Sequence, residues 1–221
     1  MKKLLAIILS VLLVLCLATG CSAKNDSDKN GSNNSQSSDS MVKLTMGTVN
    51  GTTYENEFIG IGCKVDDGWT FASEDDLKAL IDITIDKFDE KYQEQLEAAA
   101  IVYAMQVTDA STGNNININL EKLTGLNKTM TASKYVDSSL GQMSTALETA
   151  GFSNLQIQKT EVEIDGTKHA AIAIIADVSG VKIYEKVVCI KCNDYMANIT
   201  LATVSSDTTD ELLSKFYNLD K

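Results

Sequence analysis

The side-chain types that most often carry catalysis or redox chemistry are few in this chain of 221 residues. There is one histidine, His169, and a Cys-x-x-Cys pair lies at Cys189 and Cys192. Such a pair can serve redox chemistry or hold half of a zinc site. Residues three apart on a strand point to opposite faces, so we expect buried, inert thiols, with a bond to Cys63 as the alternative. His169 lacks an accompanying G-x-S-x-G motif, and we expect no catalytic role for it.

Acidic side chains suggest a second kind of chemistry, the binding of a divalent cation. Carboxylate oxygens are the ligands that Ca²⁺ prefers, although no acidic group here matches the EF-hand loop. A solvated acidic surface is therefore the competing interpretation. The candidate ligands are Asp66, Asp67, Asp75 and Asp76, with Glu74 and a further acidic group at positions 86–90 nearby. We predict no other cofactor.

A clear alternation of apolar and polar residues predicts a strand over Asn115 to Leu123. The apolar positions are Ile116, Ile118 and Leu120, and the polar ones are Asn115, Asn117, Asn119 and Glu121. We expect the apolar face to be buried and the polar face to be wet or to line a groove. The asparagines could hydrogen-bond a partner, but such residues more often solvate the open face of a sheet.

The first 21 residues determine where the protein works. After Lys2 and Lys3, an apolar run ends at Leu17, too short to span a hydrocarbon core of roughly 30 Å as a helix. Its three-part shape is typical of a secretory signal over residues 1–20. Ala18-Thr19-Gly20-Cys21 resembles the lipobox of bacterial lipoproteins, which implies cleavage before Cys21 and a lipid, with acyl chains such as palmitate, on its sulfur. An ordinary secretory signal and a transmembrane anchor are the alternatives.

The amino-acid composition limits the kinds of partner that this protein can bind. The formal net charge of −11 would be repelled by nucleic-acid phosphate and by anionic lipid headgroups. We therefore predict no nucleic-acid partner, and membrane attachment only through lipid on Cys21, outside the cytoplasm. The chain has no arginine, the side chain that usually grips phosphates with two parallel hydrogen bonds. Residues 21–40 are rich in Ser, Asn and Asp, and we expect a flexible tether there, since such a segment cannot bury enough apolar surface to fold.

Hydrophobic periodicity predicts one α+β domain over residues 41–221, with the element order ββ-α-ββ-α-ββββ-α. Turn signals join most strands directly, so we expect a largely antiparallel sheet of about six to eight strands with helices packed on its faces. The predicted strands span 42–49, 54–65, 101–108, 115–123, 155–164, 169–178, 181–192 and 194–204. The predicted helices are Glu74 to Ala99, either continuous or broken, then Thr131 to Ala150, and a last one that Asp207 caps and that carries Phe216 and Tyr217.

This order resembles the PsbP-like superfamily, which includes photosystem accessory proteins and small bacterial lipoproteins. The similar features are Phe58-Ile59-Gly60-Ile61 leading to Asp67-Gly68-Trp69, and the helix around Val136 to Leu147 before four strands. The resemblance implies an antiparallel sheet between helical layers and a non-enzymatic role. That family has no shared catalytic residues to transfer to this chain.

These features together predict a lipid-anchored cell-surface protein whose domain is a non-enzymatic binding or interaction module. Its partner is an unknown protein, small molecule or envelope polymer. Two alternatives stay open. One is an accessory envelope hydrolase with a site built from distant Asp, Glu, Tyr and Lys residues. The other is a module that binds a divalent metal through the acidic clusters.

Overall fold

The computed structural model describes residues 43–85 and 101–219, which form two antiparallel sheets with helices packed against them. The predicted α+β class with largely antiparallel sheet is confirmed. The signal, Cys21, the tether and the question of a continuous helix up to Ala99 lie outside the described residues.

Within residues 43–85 and 101–219 the helices are fewer than the strands. Among the residues that the structure describes, no helix combines the length and the apolar character needed to cross a membrane. The helices are α1 (Glu74–Ile85), α2 (Ala132–Thr149) and α3 (Thr209–Leu213), with a short 3₁₀ turn at Gly125–Thr129. The strands β1 to β11 are Thr48–Asn50, Thr53–Asn56, Ile61–Lys64, Trp69–Phe71, Val102–Asp109, Asn115–Lys122, Phe152–Ile164, Thr167–Val178, Val181–Cys192, Tyr195–Val204 and Phe216–Asn218.

The strands divide into a small sheet in the order β1-β2-β3-β11 and a large sheet in the order β4-β5-β6-β10-β9-β8-β7. Two-residue turns connect β7 to β8 and β8 to β9. At Asp165-Gly166 both residues have positive φ, 49° and 78°, and at Ser179-Gly180 the values are 51° and 79°. These are the conformations that favour tight hairpins, which confirms the expectation that turns join these strands directly.

Both faces of the large sheet contribute to an apolar core. One face packs against the small sheet through an apolar core. The opposite face packs against α2 through a second core. Representative residues of the first core are Tyr54, Ile61, Ile116, Ile118, Leu120, Ile199, Leu201 and Phe216. Those of the second are Val136, Met143, Leu147, Ile172, Ile174, Ile183 and Val187.

Local side-chain and backbone features fix the ends of α1 and α2. The hydroxyl of Thr131 accepts a hydrogen bond from the backbone N–H of Lys134 at 3.3 Å and so caps α2. Gly151, at φ 91°, ends the helix in the left-handed region. At α1, Ser73 and Asp76 cap each other reciprocally, with 2.7 Å between Ser73 Oγ and Asp76 Oδ2. These hydrogen bonds from Ser73 lower the pKa of Asp76.

The predicted strand from Tyr54 to Val65 is wrong, because the chain reverses inside it. Asn56 is buried, and its Oδ1 accepts hydrogen bonds from the N–H groups of Phe58 at 2.9 Å and Ile59 at 3.2 Å. This side-chain turn competes with the sheet ladder and ends β2. The two short strands that result, β2 and β3, pair with each other.

Both ends of the predicted domain also differ from the structure. The strand expected over 42–49 is limited to Thr48–Asn50, and residues 43–47 are irregular. Asp207 accepts a hydrogen bond from the N–H of Thr209 in the first turn of α3, but the N-cap residue is Thr208, and the helix stops at Leu213. Phe216 and Tyr217 instead belong to β11, because pairing with β3 replaces helical hydrogen bonds.

Candidate functional site

The four acidic residues predicted as metal ligands lie at the surface, and at least three of them interact with other side chains. Asp76 caps α1, Asp66 forms an ion pair with Lys215, and Asp75 lies 3.9 Å from the lysine one turn further along the helix. Asp67 is exposed. Within residues 43–85 and 101–219, no three His, Cys, Asp or Glu side chains are grouped so that they could hold a metal ion. The metal-binding hypothesis stays a prediction, since positions 86–90 lie outside the described residues.

The three described cysteines are buried, and the histidine is half-buried. Cys189 belongs to the core under α2 and Cys192 to the core between the sheets, which confirms that they point to opposite faces. Cys63 is also buried between the sheets, and burial raises its pKa to about 12. His169 is half-buried, and burial lowers its pKa.

The polar face of β6 is buried, contrary to the expectation of a solvated sheet face. Asn115, Asn117, Asn119 and Glu121 are each at most 2% exposed. Both faces of this strand are therefore removed from solvent, although one of them is polar. Burying amides and a carboxyl is unfavourable unless they find partners, so this face requires a physical explanation.

Neighbouring strands extend the polar surface. In register, Asn198 lies opposite Asn119, Thr200 opposite Asn117, and Ala202 opposite Asn115. On its other side Ala202 lies opposite Glu185 of β9. We call the resulting buried surface the polar stripe; it consists of Gln106, Asn115, Asn117, Asn119, Glu121, Glu185, Asn198 and Thr200.

One end of the polar stripe is held by hydrogen bonds. The hydroxyl of Tyr135 on α2 donates to Glu121 Oε2 at 2.5 Å. The side-chain amide of Asn198 donates to Asn119 Oδ1 at 3.2 Å and to the Tyr135 oxygen at 3.1 Å. Burial raises the pKa of Glu121 to about 7, and the hydrogen bond from Tyr135 opposes that rise. This network ties α2 to the sheet.

The other end contains orphaned polar atoms. Among the described residues, neither carboxyl oxygen of Glu185 has a hydrogen-bond partner, and the side-chain amides of Asn115 and Asn117 have none at either atom. The side-chain oxygen of Gln106 also has no partner, and at the Tyr135 end the same is true of the Asn198 side-chain oxygen. Burial raises the pKa of Glu185 well above its ordinary value. Buried polar groups in native proteins normally have a hydrogen-bond partner, so the lack of one at each of these atoms needs an explanation.

A groove of about 730 Å³ opens where the start of α2 meets β7, β8 and β9. Three lysines and one glutamate line it, on a chain whose formal net charge is −11. We call it the basic groove. Its lining residues are Thr131, Ala132, Ser133, Lys159, Thr160, Glu161, Lys168, His169, Ala170, Cys189, Ile190 and Lys191.

The lysines of the basic groove differ in their roles. Lys159 Nζ donates to Ser133 Oγ at 2.9 Å and to Asp137 Oδ1 at 2.7 Å, so it fastens α2 to β7. Lys168 forms an exposed ion pair with Glu161 at 2.8 Å, and the hydrogen bond from that pair raises its pKa. Lys191 donates to a backbone carbonyl in the next turn. Two of the three ammonium groups can therefore turn to a ligand without loosening α2.

Sequence reasoning did not find the basic groove, because its lysines come from three strands and no local motif joins them. Their convergence depends on the β7-β8-β9 pairing and on the position of α2. It did single out the polar residues of β6, but it expected them to be wet or to line a groove and did not expect them to be buried. Glu185 and Asn198 were missed, since isolated polar residues within apolar strands carry no spacing signal.

Comparisons with known proteins add little to this picture. No family model and no curated protein matches the chain. A solved structure that aligns with it is LpqN, described as involved in cell envelope biogenesis of Mycobacterium tuberculosis. The identity is 13%, the TM-score is 0.41, and the alignment covers 72% of this chain and 83% of LpqN. At these values the likeness does not assign a function.

Proposed function

We propose that this protein is an envelope lipoprotein, anchored through lipid on Cys21, whose folded domain is a non-enzymatic module that binds an anionic ligand in the basic groove. The observation that carries the proposal is the groove itself. Its volume of about 730 Å³ lies within the roughly 300–1,000 Å³ typical of ligand pockets. It also gathers positive charge on an acidic protein.

Charge distribution supports an anionic ligand. Lysines that line a concave surface raise the local concentration of anions even when the net charge of the protein is negative. Three lysines line this groove beside the single glutamate. Lysine ammonium groups act as point charges and do not impose the planar geometry of an arginine fork. We therefore expect the groove to accept carboxylate or phosphate groups with modest geometric selectivity.

Binding is tested by thermal unfolding of the full chain in detergent, titrated with citrate, succinate and inorganic phosphate at constant ionic strength. An anion at ten times its dissociation constant raises the melting temperature by about 3–6 °C for a domain of this size. The Lys168→Gln and Lys191→Gln double variant is expected to lose that rise, because both lysines line the groove.

Lys182→Gln is the matched control, since this lysine lies exposed on β9 but does not line the groove. The control should keep the full response. An equal response in the double variant, or no response of the wild type to any of the three anions, would contradict the proposed site. Lys159 is left intact because its substitution would loosen α2.

The anchor is tested separately. Replacing Cys21 with Ala removes the sulfur that the lipobox resemblance marks for lipid. The protein should then appear in the soluble fraction, or stay unprocessed, in membrane fractionation. Unchanged processing and retention in the membrane would contradict lipidation at Cys21 and would leave the groove proposal untouched.

A further inference from the structure

We propose that the orphaned end of the polar stripe is a binding site for a monovalent metal cation, Na⁺ or K⁺. This site is separate from the basic groove and independent of the proposed function. Five side-chain oxygens there lack a hydrogen-bond partner among the described residues, against two side-chain nitrogens. The oxygens belong to Gln106, Asn115, Asn117 and, with two, Glu185.

The register of the sheet places these polar side chains close together on one face. Asn115 and Asn117 are two positions apart on β6 and share a face, so their Cα atoms lie about 7 Å apart. Gln106 lies opposite Asn117 on β5. Glu185 lies two strands from Asn115, roughly 10 Å away, and the strand between them contributes only the methyl group of Ala202. The long Glu185 side chain and the asparagines therefore have room to meet above Ala202.

The chemistry of the donors favours a hard cation. Carboxylate and amide carbonyl oxygens are the ligands that such cations take from proteins. With a neutral ligand, the Glu185 carboxylate would have no positive charge to compensate it, or the carboxyl would have to stay protonated. A cation that replaces this proton pairs with the carboxylate, and the proton goes to solvent.

The charge balance favours a monovalent cation over a divalent one. Glu185 is the one carboxyl among these orphaned groups, and it is 1% exposed. A single positive charge gives a neutral buried pair. A divalent cation would leave one uncompensated charge in the interior, which is strongly unfavourable. Glu121 does not make up the difference, because it lies at the Tyr135 end of the stripe.

The test compares the thermal unfolding of the full chain at pH 8 in NaCl, KCl and choline chloride at equal ionic strength. Choline has the same charge but is too large for a buried oxygen cage. We expect the melting temperature in NaCl or in KCl to exceed that in choline chloride by about 3–6 °C once the salt is tenfold above its dissociation constant.

Glu185→Gln should abolish the difference between salts, because it keeps the shape of the side chain and removes the charge. Glu121→Gln is the matched control, a buried carboxyl of the same stripe that already has a partner, and it should keep the difference. Equal melting temperatures in all three salts, or an undiminished difference in Glu185→Gln, would overturn the proposal. Circular dichroism verifies that both variants fold.

Discussion

The two faces of β6 are equally buried but chemically opposite. Ile116, Ile118 and Leu120 face the small sheet and are fully enclosed by apolar neighbours. Asn115, Asn117 and Asn119 face the other way and are just as inaccessible. The apolar face is the one that burial stabilises, and the polar face is the one that burial penalises. A protein that retains the second face is expected to use it.

The contrast between the two faces of β6 extends to the whole large sheet, where we assign one face to stability and the other to binding. The core between the sheets supplies stability and has few polar groups. The face toward α2 carries the polar stripe, the Tyr135 network and, at its edge, the basic groove. The following predictions test this division, in order of expected effect.

The largest effect should come from the apolar face. Ile118→Ala should lower the free energy of unfolding by about 2–5 kcal/mol, because it opens a cavity in a closed core. Asn117→Ala, at the neighbouring position on the polar face, should lower it by less than about 1 kcal/mol, because the amide it removes has no partner among the described residues. Urea denaturation in choline chloride measures both. Equal losses would remove the distinction between the faces.

Glu121 should make stability depend on pH. Its pKa is about 7 in the folded protein and close to 4.5 when it is unfolded, so the folded state binds the proton more tightly. Stability is therefore fully present below pH 4.5 and falls as the pH rises to 7, by about 3 kcal/mol from this group. Glu121→Gln should flatten the curve by that amount. A curve unchanged by the substitution would show that Glu121 is not buried as described.

Tyr135→Phe should produce a smaller loss of about 1–3 kcal/mol, because it leaves Glu121 Oε2 and the Asn198 amide without the hydroxyl oxygen between them. The pKa of Glu121 should also rise, since the hydrogen bond that opposes the effect of burial is gone. Denaturation curves and a carboxyl titration give the two readouts. An increase in stability would mean that the network is not formed.

The smallest effect should come from the rim of the groove. Breaking the Lys168–Glu161 pair with Glu161→Gln should change stability by less than about 1 kcal/mol, because both side chains are more than half exposed. The same variant should bind citrate or phosphate more tightly, since it removes the one negative side chain lining the groove. Weaker anion binding in this variant would argue against a basic groove.

Local signals in the sequence predicted much of the fold. The Thr131 cap, Gly151 and the two glycine-containing hairpin turns lie where local backbone preferences place them. Local rules failed where a single side chain decided the outcome, as at Asn56, whose turn splits a predicted strand. They failed again at Phe216 and Tyr217, whose pairing partner β3 lies more than 150 positions away in the chain.

The site was less accessible to sequence reasoning than the fold. Alternation along β6 predicted two unlike faces, but it could not show that the polar face is covered, because burial depends on elements far away in sequence. The sequence predicted binding by a groove or a sheet face without naming the residues. Those residues could be identified only from the strand order in the structure. Cys21 remains the part of the account that rests on sequence alone.

The central claim is that the polar stripe is an interior surface of the protein. Carbon-detected NMR titration of the glutamate carboxyl groups in the full chain tests it most directly, with Glu121→Gln and Glu185→Gln to assign the two signals. The account predicts that, in choline chloride, Glu121 titrates near 7 and Glu185 well above the ordinary glutamate value. Titration of both carboxyls near 4.5 would show that water reaches this face and would contradict the account.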